Sequence, residues 1–114
     1  MTYEDLIAAL KSTGIPFAEG GWQDANKLKE DYGVYAIDGR RDLLADNAHE
    51  PKVLEGTIDL FALHSKGMDK VSMIEWALDS VGAAWRLNAG PIYESGTGYT
   101  HWEWVFNVLP ELVR

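Results

Sequence analysis

The segment Tyr99–Leu109, YTHWEWVFNVL, constrains the fold more than any other part of this sequence. Aromatic and apolar side chains alternate with polar ones along it, which is the period of a β-strand with one buried face. That face would carry Trp102, Trp104 and Phe106, and aromatic side chains bury roughly 150–250 Å² each. Because Pro110 cannot donate a ladder hydrogen bond, the strand is predicted to end there. The sequence therefore predicts a sheet whose core is built on this strand.

Length and composition favour one folded domain, residues 1–114. The chain has 114 residues, 46% of them hydrophobic, which is enough for a real core. It contains no cysteine, so disulfides, thiol catalysis and cysteine-ligated zinc are excluded. No apolar run approaches the roughly 20 residues that span a membrane, and no signal-peptide pattern opens the sequence. We therefore expect a protein made and kept in a reducing cytosol, or in a particle assembled there.

The formal net charge of −8 argues against a tight grip on nucleic acid. Sequence-independent DNA binding requires clustered lysine and arginine that displace counterions from phosphates. The ten basic residues are scattered, and Arg40-Arg41 is the only basic doublet. An acidic surface can repel DNA, mimic it, or simply keep the protein in solution.

Two amphipathic helices are predicted, over Tyr3–Thr13 and Asp69–Val81. Thr2 can cap the first, with Asp5 completing a capping box. Asp69 can cap the second, and Gly82 is a natural stop for it. The apolar face of the first helix is narrow, so we expect it to lie on a sheet rather than inside a bundle.

Further strands are predicted from period-two patterns and turn signals. Gly33–Asp38 has the pattern of a strand, and Asp38-Gly39 is a hairpin signal that would lead into a short return strand over Asp42–Asp46. Val53–His64 is predicted to be a long strand with alternating apolar and polar faces. Gly56, inside it, indicates a bulge or a close crossing of two chain segments.

Shorter extended pieces complete the predicted order. Ile15–Trp22 has the pattern of a short strand or arm broken at Gly20-Gly21. Trp85–Asn88 and Ile92–Glu94 are predicted strands on either side of a turn at Gly90-Pro91. Because strands and helices do not alternate regularly, a parallel sheet is disfavoured. The predicted fold class is α+β: an antiparallel sheet with two helices packed on one face.

No motif predicts catalysis. Two sets of side chains could in principle carry metal or acid–base chemistry: His64, His101 and Glu103, and Asp42, Asp46 and Glu50. The first set needs its strands to be neighbours, and the second lies in a turn-rich region where Asp is favoured for backbone hydrogen bonds alone. The Gly96–Gly98 turn lacks the lysine of a phosphate loop. We therefore predict no catalytic residue, no metal, no cofactor and no enzymatic activity.

Several short sequence motifs occur in an order that resembles one protein family. They are Thr13–Pro16 (TGIP), Tyr32–Asn47 with its closing Ala45–Asn47 (ADN), the strand Leu54–Phe61 and Ala77–Asp79 (ALD). Together with the closing aromatic hairpin they resemble the small tail proteins of long-tailed bacteriophages, in the group that contains tail terminator (tail completion) proteins. The similarity spans nearly the whole chain, and none of the motifs is specific on its own.

The resemblance implies a structural protein that forms a ring, typically a hexamer, on the last ring of the tail tube. Its partners would be other copies of itself, the tail tube protein and the head connector proteins, in the tail or neck of a virion assembled in the host cytoplasm. DNA would pass through without specific binding, helped by a lumen whose carboxylates repel phosphates. The candidates for that acidic lumen, or another exposed face, are Asp24, Glu30, Asp31, Glu55 and Asp59.

The Ala18–Asp31 arm carries few apolar groups that could hold it on its own core. Trp22, after two glycines, would be either a satellite of that core or an anchor on a partner. The candidate subunit-interface residues are Phe17, Trp22 and Leu28. The tryptophan content and the charged Gln23–Asp31 segment depart from the family pattern, which leaves the contacts of this arm open.

Two other classes of function compete with this interpretation. An acidic inhibitor or immunity protein would be a monomer that binds a basic protein in a salt-sensitive way. A small hydrolase or metal enzyme is disfavoured by the lack of any nucleophile or ligand constellation.

Overall fold

Two helices and five strands make up the computed structural model, which describes residues 2–21, 30–42, 52–63 and 68–108. In chain order they are α1 (Tyr3–Ser12), β1 (Phe17–Glu19), β2 (Tyr32–Asp42), β3 (Lys52–Leu63), α2 (Met68–Ser80), β4 (Ala84–Tyr93) and β5 (Tyr99–Val108). The order of the two helices and of the long strands β3 and β5 agrees with the expectation from the sequence. No helix in these described ranges is both long and apolar enough to cross a membrane.

The five strands form one sheet in the order β1-β2-β3-β5-β4. All neighbouring pairs are antiparallel except β1 and β2, which run parallel. A parallel pair needs a connection of about a dozen residues or more, and the segment between Glu19 and Tyr32 meets that length. The predicted α+β fold class is confirmed, with β1 as a short parallel addition at the edge of an antiparallel sheet.

Local sequence signals set the ends of α1. Thr2 accepts a hydrogen bond from the Asp5 amide, and the Asp5 carboxylate accepts one from the Thr2 amide, which is the predicted capping box. Leu6 and Leu10, one turn apart, are fully buried on the inner face of the helix. The capping signals and the apolar spacing therefore act together to place α1 on the sheet.

The second helix begins at Met68, so Asp69 lies in its first turn rather than at its cap. An acidic side chain there is favoured by the positive end of the helix dipole. Gly82 follows the helix with φ of +68°, a left-handed conformation that ends the helix at little cost for glycine. The predicted stop is thus confirmed.

The core lies between the two helices and one face of the sheet. Cross-strand rows from neighbouring strands supply its sheet side, among them Tyr35 with Ile58 and Trp104, and Leu60 with Trp102. The largest fully buried side chains are Trp104, Leu6, Leu10, Ile58, Leu60, Ile74 and Leu78. The indole N–H of Trp104 donates to Glu75 Oε2 of α2 at 3.0 Å. The one polar group of this buried side chain therefore has a hydrogen-bond partner, and the rest of the ring packs in the apolar core.

The hairpin predicted at Asp38-Gly39 is wrong. β2 continues through this dipeptide and stays paired with β3 as far as the Asp42–Lys52 pair. A register shift between Ile37 and Gly39 absorbs the extra residue as a bulge. The local turn preference of Asp-Gly is overridden because the ladder to the long β3 strand continues on both sides of it.

The turn predicted at Gly90-Pro91 is also wrong. β4 is one strand, Ala84–Tyr93, which contains the cis Gly90–Pro91 peptide. Its ladder to β5 shifts register between Leu87 and Ala89 and again before Ile92. Proline and bulges are tolerated here because β4 lies at the edge of the sheet, where the residues need pair on one side only.

Candidate functional site

The sheet face opposite the helices, named the open face below, collects most of the polar side chains of the long strands. It carries Tyr32, Val34 and Ala36 of β2, Glu55, Thr57, Asp59 and Phe61 of β3, and Tyr99, His101, Glu103 and Val105 of β5. These positions alternate with the core positions of the same strands. Within the described ranges, neither helix packs on this face, because the buried side chains of both helices belong to the core on the other side.

Three rings form a stacked row across the open face. The Phe61 ring lies between Tyr32, at a centroid distance of 4.8 Å and an interplanar angle of 14°, and His101, at 4.3 Å and 12°. Tyr99 meets Tyr32 edge-on at 5.2 Å, and its hydroxyl donates to the Glu30 carbonyl at 3.1 Å. Since both faces of Phe61 are occupied, this ring offers no platform on which a nucleobase could stack.

His101 lies between carboxylates from two other parts of the chain. Its Nε2 donates to Asp59 Oδ1 at 2.7 Å, and its Nδ1 is 4.0 Å from Glu94 Oε2. The hydrogen bond to Asp59 is the main cause that raises the pKa of His101 above its ordinary value, with burial opposing it and the nearby carboxylates adding to it. A raised pKa favours the imidazolium more than in a free histidine, and the imidazolium, when formed, has no lone pair to bind a metal or accept a proton.

A second polar group links β4 to β5. Asn88 donates through Nδ2 to Glu103 Oε1 at 2.7 Å and accepts from Arg86 Nη1 at 2.9 Å. Sequence reasoning singled out neither Arg86, Asn88 nor Glu94. Their positions depend on the β4–β5 register, which is set by two irregularities that no local pattern announces.

The predicted acidic residues fall into different settings. Glu55 and Asp59 both lie on the open face of β3, roughly 13 Å apart along the strand. Glu30 is exposed. Asp31 accepts the Leu63 amide at 2.8 Å and pairs with Lys70 at 3.0 Å, so its carboxylate fixes the end of β3 against α2.

The remaining predicted lumen and interface residues are placed only in part. Asp24, Trp22 and Leu28 lie outside the described residues. Phe17 is half-buried, and its ring covers Gly33 and lies 6.4 Å from the ring of Tyr35. The side chain predicted at a subunit interface therefore packs partly on its own chain.

The metal and acid–base hypotheses find no assembled site in the described ranges, where no group of three His, Cys, Asp or Glu side chains could hold a metal ion. His101 and Glu103 share the open face as predicted, but each is engaged with another residue. His64, Asp46 and Glu50 lie outside the described residues. Asp42 ends β2.

No known protein family matches this chain, and no curated protein matches it.

Proposed function

We propose that this protein is a structural subunit of a bacteriophage tail. It forms a ring, a hexamer by the resemblance of its sequence, on the end of the tail tube and joins that tube to the head connector. The observation that carries the proposal is the acidic open face. There Glu55, Asp59 and Glu103 lie on the two central strands, on the side of the sheet away from both helices.

The chemistry of this face suits the lining of a channel for DNA. A ring repeats each carboxylate once per subunit, and a wall of one sign of charge in a narrow passage repels phosphates. Arg86 is hydrogen-bonded to Asn88, and the imidazole of His101 lies beside Asp59 and Glu94. Of these two cationic side chains among the described residues, His101 lies beside carboxylates, whereas Arg86 is held by a neutral amide.

The edge of the sheet supports the proposed ring contact. β1 is an edge strand, and the chain leaves it at Gly20 and Gly21, both with positive φ. Gly21, the last described residue before Trp22, thus follows the edge strand at the rim of the sheet, where a neighbouring subunit would lie in the proposed ring. A ring repeats one contact between two different surfaces, so one arm per subunit would meet one groove per neighbour.

The experiment is made on assembled particles, because free subunits of such a ring can remain monomeric until they meet a tube end. Deletion of the gene should give tails that are overlong or fail to join heads, and the intact chain supplied in trans should restore them. Trp22→Ala should fail to restore them while folding normally. Tyr93→Ala, which removes an exposed aromatic ring at the opposite edge strand, is the matched control and should succeed.

The opposite result selects the alternative function. Absence of the protein from purified particles would overturn the structural proposal. A monomer that binds a cationic protein in a salt-sensitive complex would then point to the acidic inhibitor class, which the net charge of −8 also suits.

A further inference from the structure

Three large apolar side chains of α2 are exposed and not used by the core: Met68 at the start of the helix, Met73 and Trp76. Trp76 is 57% exposed and Met73 is 40% exposed. They lie three positions apart on the helix, so their side chains are neighbours on its surface. Tryptophan is a large and usually well-covered side chain, and an exposed one beside another apolar group is typical of a contact surface.

A groove runs beside these two side chains. Ser12 and Thr13, at the end of α1, form one wall, and Ser72, Met73 and Trp76 of α2 form the other, around a hollow of about 400 Å³. A second hollow of about 540 Å³ adjoins it at Met73 and Thr13 and extends to Pro16 and Lys70. We call this surface, with Met73 and Trp76 at its centre, the α2 groove.

Carboxylates outnumber lysines among the described residues at the α2 groove. Glu30 and Asp31 line its second hollow together with Lys70, which is paired with Asp31 at 3.0 Å. Asp69 and Asp79 are exposed on the same side of α2 as Trp76, one or two turns away, and Asp79 also accepts the indole N–H of Trp85 at 2.7 Å. The other lysine nearby is the exposed Lys11, in the last turn of α1.

The exposed apolar residues of β4 form a weaker candidate surface. Leu87, Ile92 and Tyr93 are exposed on β4. Two register shifts interrupt that strand, and Pro91 has no N–H to donate, which are the devices that protect sheet edges from added strands. The α2 groove lies on regular helix and has no such protection.

We propose that the α2 groove binds a basic amphipathic helix of a partner protein, with Trp76 as the anchor. An apolar stripe on the partner would cover Met73 and Trp76, and lysine or arginine at its borders would face Asp69 and Asp79. This is the helix-in-groove mode of recognition, in which the apolar anchors supply affinity and the charges supply orientation. The inference concerns a different surface from the open face and does not depend on ring formation.

The test uses the purified chain and a synthetic peptide of leucine and lysine, about 18 residues or five helical turns long, patterned as an amphipathic helix. Binding is measured by calorimetry at about 0.15 M salt, where weak long-range charge attraction is screened. Trp76→Ala should weaken binding about thirtyfold, the loss expected for an aromatic anchor. Met73→Ala should weaken it less. Leu87→Ala, which truncates an apolar side chain on β4 that is 41% exposed, close to the 40% of Met73, is the matched control and should bind like the parent.

Three results would overturn the proposal. The first is no binding of the patterned peptide to the parent protein. The second is equal binding of a scrambled peptide of the same composition, because attraction would then be charge alone. The third is equal affinity of the parent and Trp76→Ala proteins. Unchanged thermal unfolding of Trp76→Ala checks that the side chain is not needed for the fold. Met73→Glu is a second variant at the same groove, and it should also weaken binding, because it places a charge against the apolar stripe of the peptide.

Discussion

Nε2 of His101 on β5 donates to Oδ1 of Asp59 on β3 at 2.7 Å, across two strands whose ladder places these residues two positions apart in register, on the same face of the sheet. The pair unites residues 42 positions apart in the sequence. Its ring partner is Phe61, stacked on the imidazole at 4.3 Å. The centre of the open face is thus held by one hydrogen bond, which is ionic when the imidazole is protonated, and by one ring contact.

We expect the protein to be more stable near pH 6 than near pH 8. The pKa of His101 is raised in the folded state, chiefly by its hydrogen bond to Asp59. Below the ordinary value of about 6.5 both states hold the proton, so the full stabilisation is present. As the pH rises through the folded pKa the proton is lost, and the stabilisation is lost with it. Urea unfolding at a series of pH values measures this change.

His101→Phe isolates that effect, because it keeps a ring against Phe61 and removes the titrating group. The difference in unfolding free energy between pH 6 and pH 8 should become smaller than in the parent protein. An unchanged pH dependence in this variant would show that another group is responsible.

The elements that were predicted correctly are those whose pattern is local. α1, α2, β3 and β5 lie within one or two residues of their predicted bounds, because each has an uninterrupted period of 3.6 or 2. The errors at Asp38-Gly39 and Gly90-Pro91 have one cause. Both dipeptides favour turns locally, yet each lies in a strand whose partner continues past it, and the mismatch is absorbed by a bulge or register shift.

Asp31 should matter more for stability than the lysine with which it pairs. Lys70→Ala removes a partly exposed ion pair, for which roughly 0–1 kcal/mol is expected. Asp31→Ala also leaves the Leu63 amide without its acceptor, which costs about 1–3 kcal/mol in a partly buried setting. Asp31→Asn retains an acceptor oxygen and should resemble Lys70→Ala. Chemical denaturation of the three variants checks this order, and equal losses for Asp31→Ala and Asp31→Asn would contradict it.

Truncation of Trp104 should lower the stability of the protein strongly, whereas truncation of Trp76 should leave it nearly unchanged. Trp104 is fully buried at the centre of the sheet, so Trp104→Ala should lower the free energy of unfolding by about 3–5 kcal/mol. Trp76 is mostly exposed, and Trp76→Ala should change it by less than about 0.5 kcal/mol. Denaturation midpoints measured side by side decide the matter. A large loss for Trp76→Ala would mean that the α2 groove is part of the core.

Gly56 should resist even a single added methyl group. A Cβ at this position would collide with the carbonyl oxygen of Ala36 and with the ring of Phe106. We expect Gly56→Ala to cost about 1–3 kcal/mol, as for other overpacked sites. Gly96→Ala is the control, because a Cβ there meets nothing within 4 Å. Equal melting temperatures for the two variants would be inconsistent with the close β2–β3–β5 packing at Gly56.

The candidate site was less predictable from the sequence than the fold. Glu55 and Asp59 could be assigned to a shared strand face, because the period of two fixes that relation within one strand. The contacts of Asp59 with His101 and of Glu103 with Asn88 join different strands, and register is set by the whole sheet. Trp76 could have been recognised from its helical position opposite Ile74 and Leu78, two residues of the predicted buried face.

If the open face lines the channel of the proposed ring, reversing a charge on it should slow the passage of DNA without preventing assembly. In a ring, Glu103→Lys would place one lysine per subunit on the channel wall, where each could contact a phosphate. Particles that carry it should join heads and tails normally but release DNA more slowly than the parent. The delay should shrink when salt rises from about 50 to 200 mM, because contacts of lysine with phosphate weaken steeply with salt. Glu4→Lys makes the same change in net charge at the exposed start of α1 and should leave release unchanged. The rate of DNA release is timed on purified particles with a DNA-binding dye. Equal rates for the two variants would show that the open face does not line the channel.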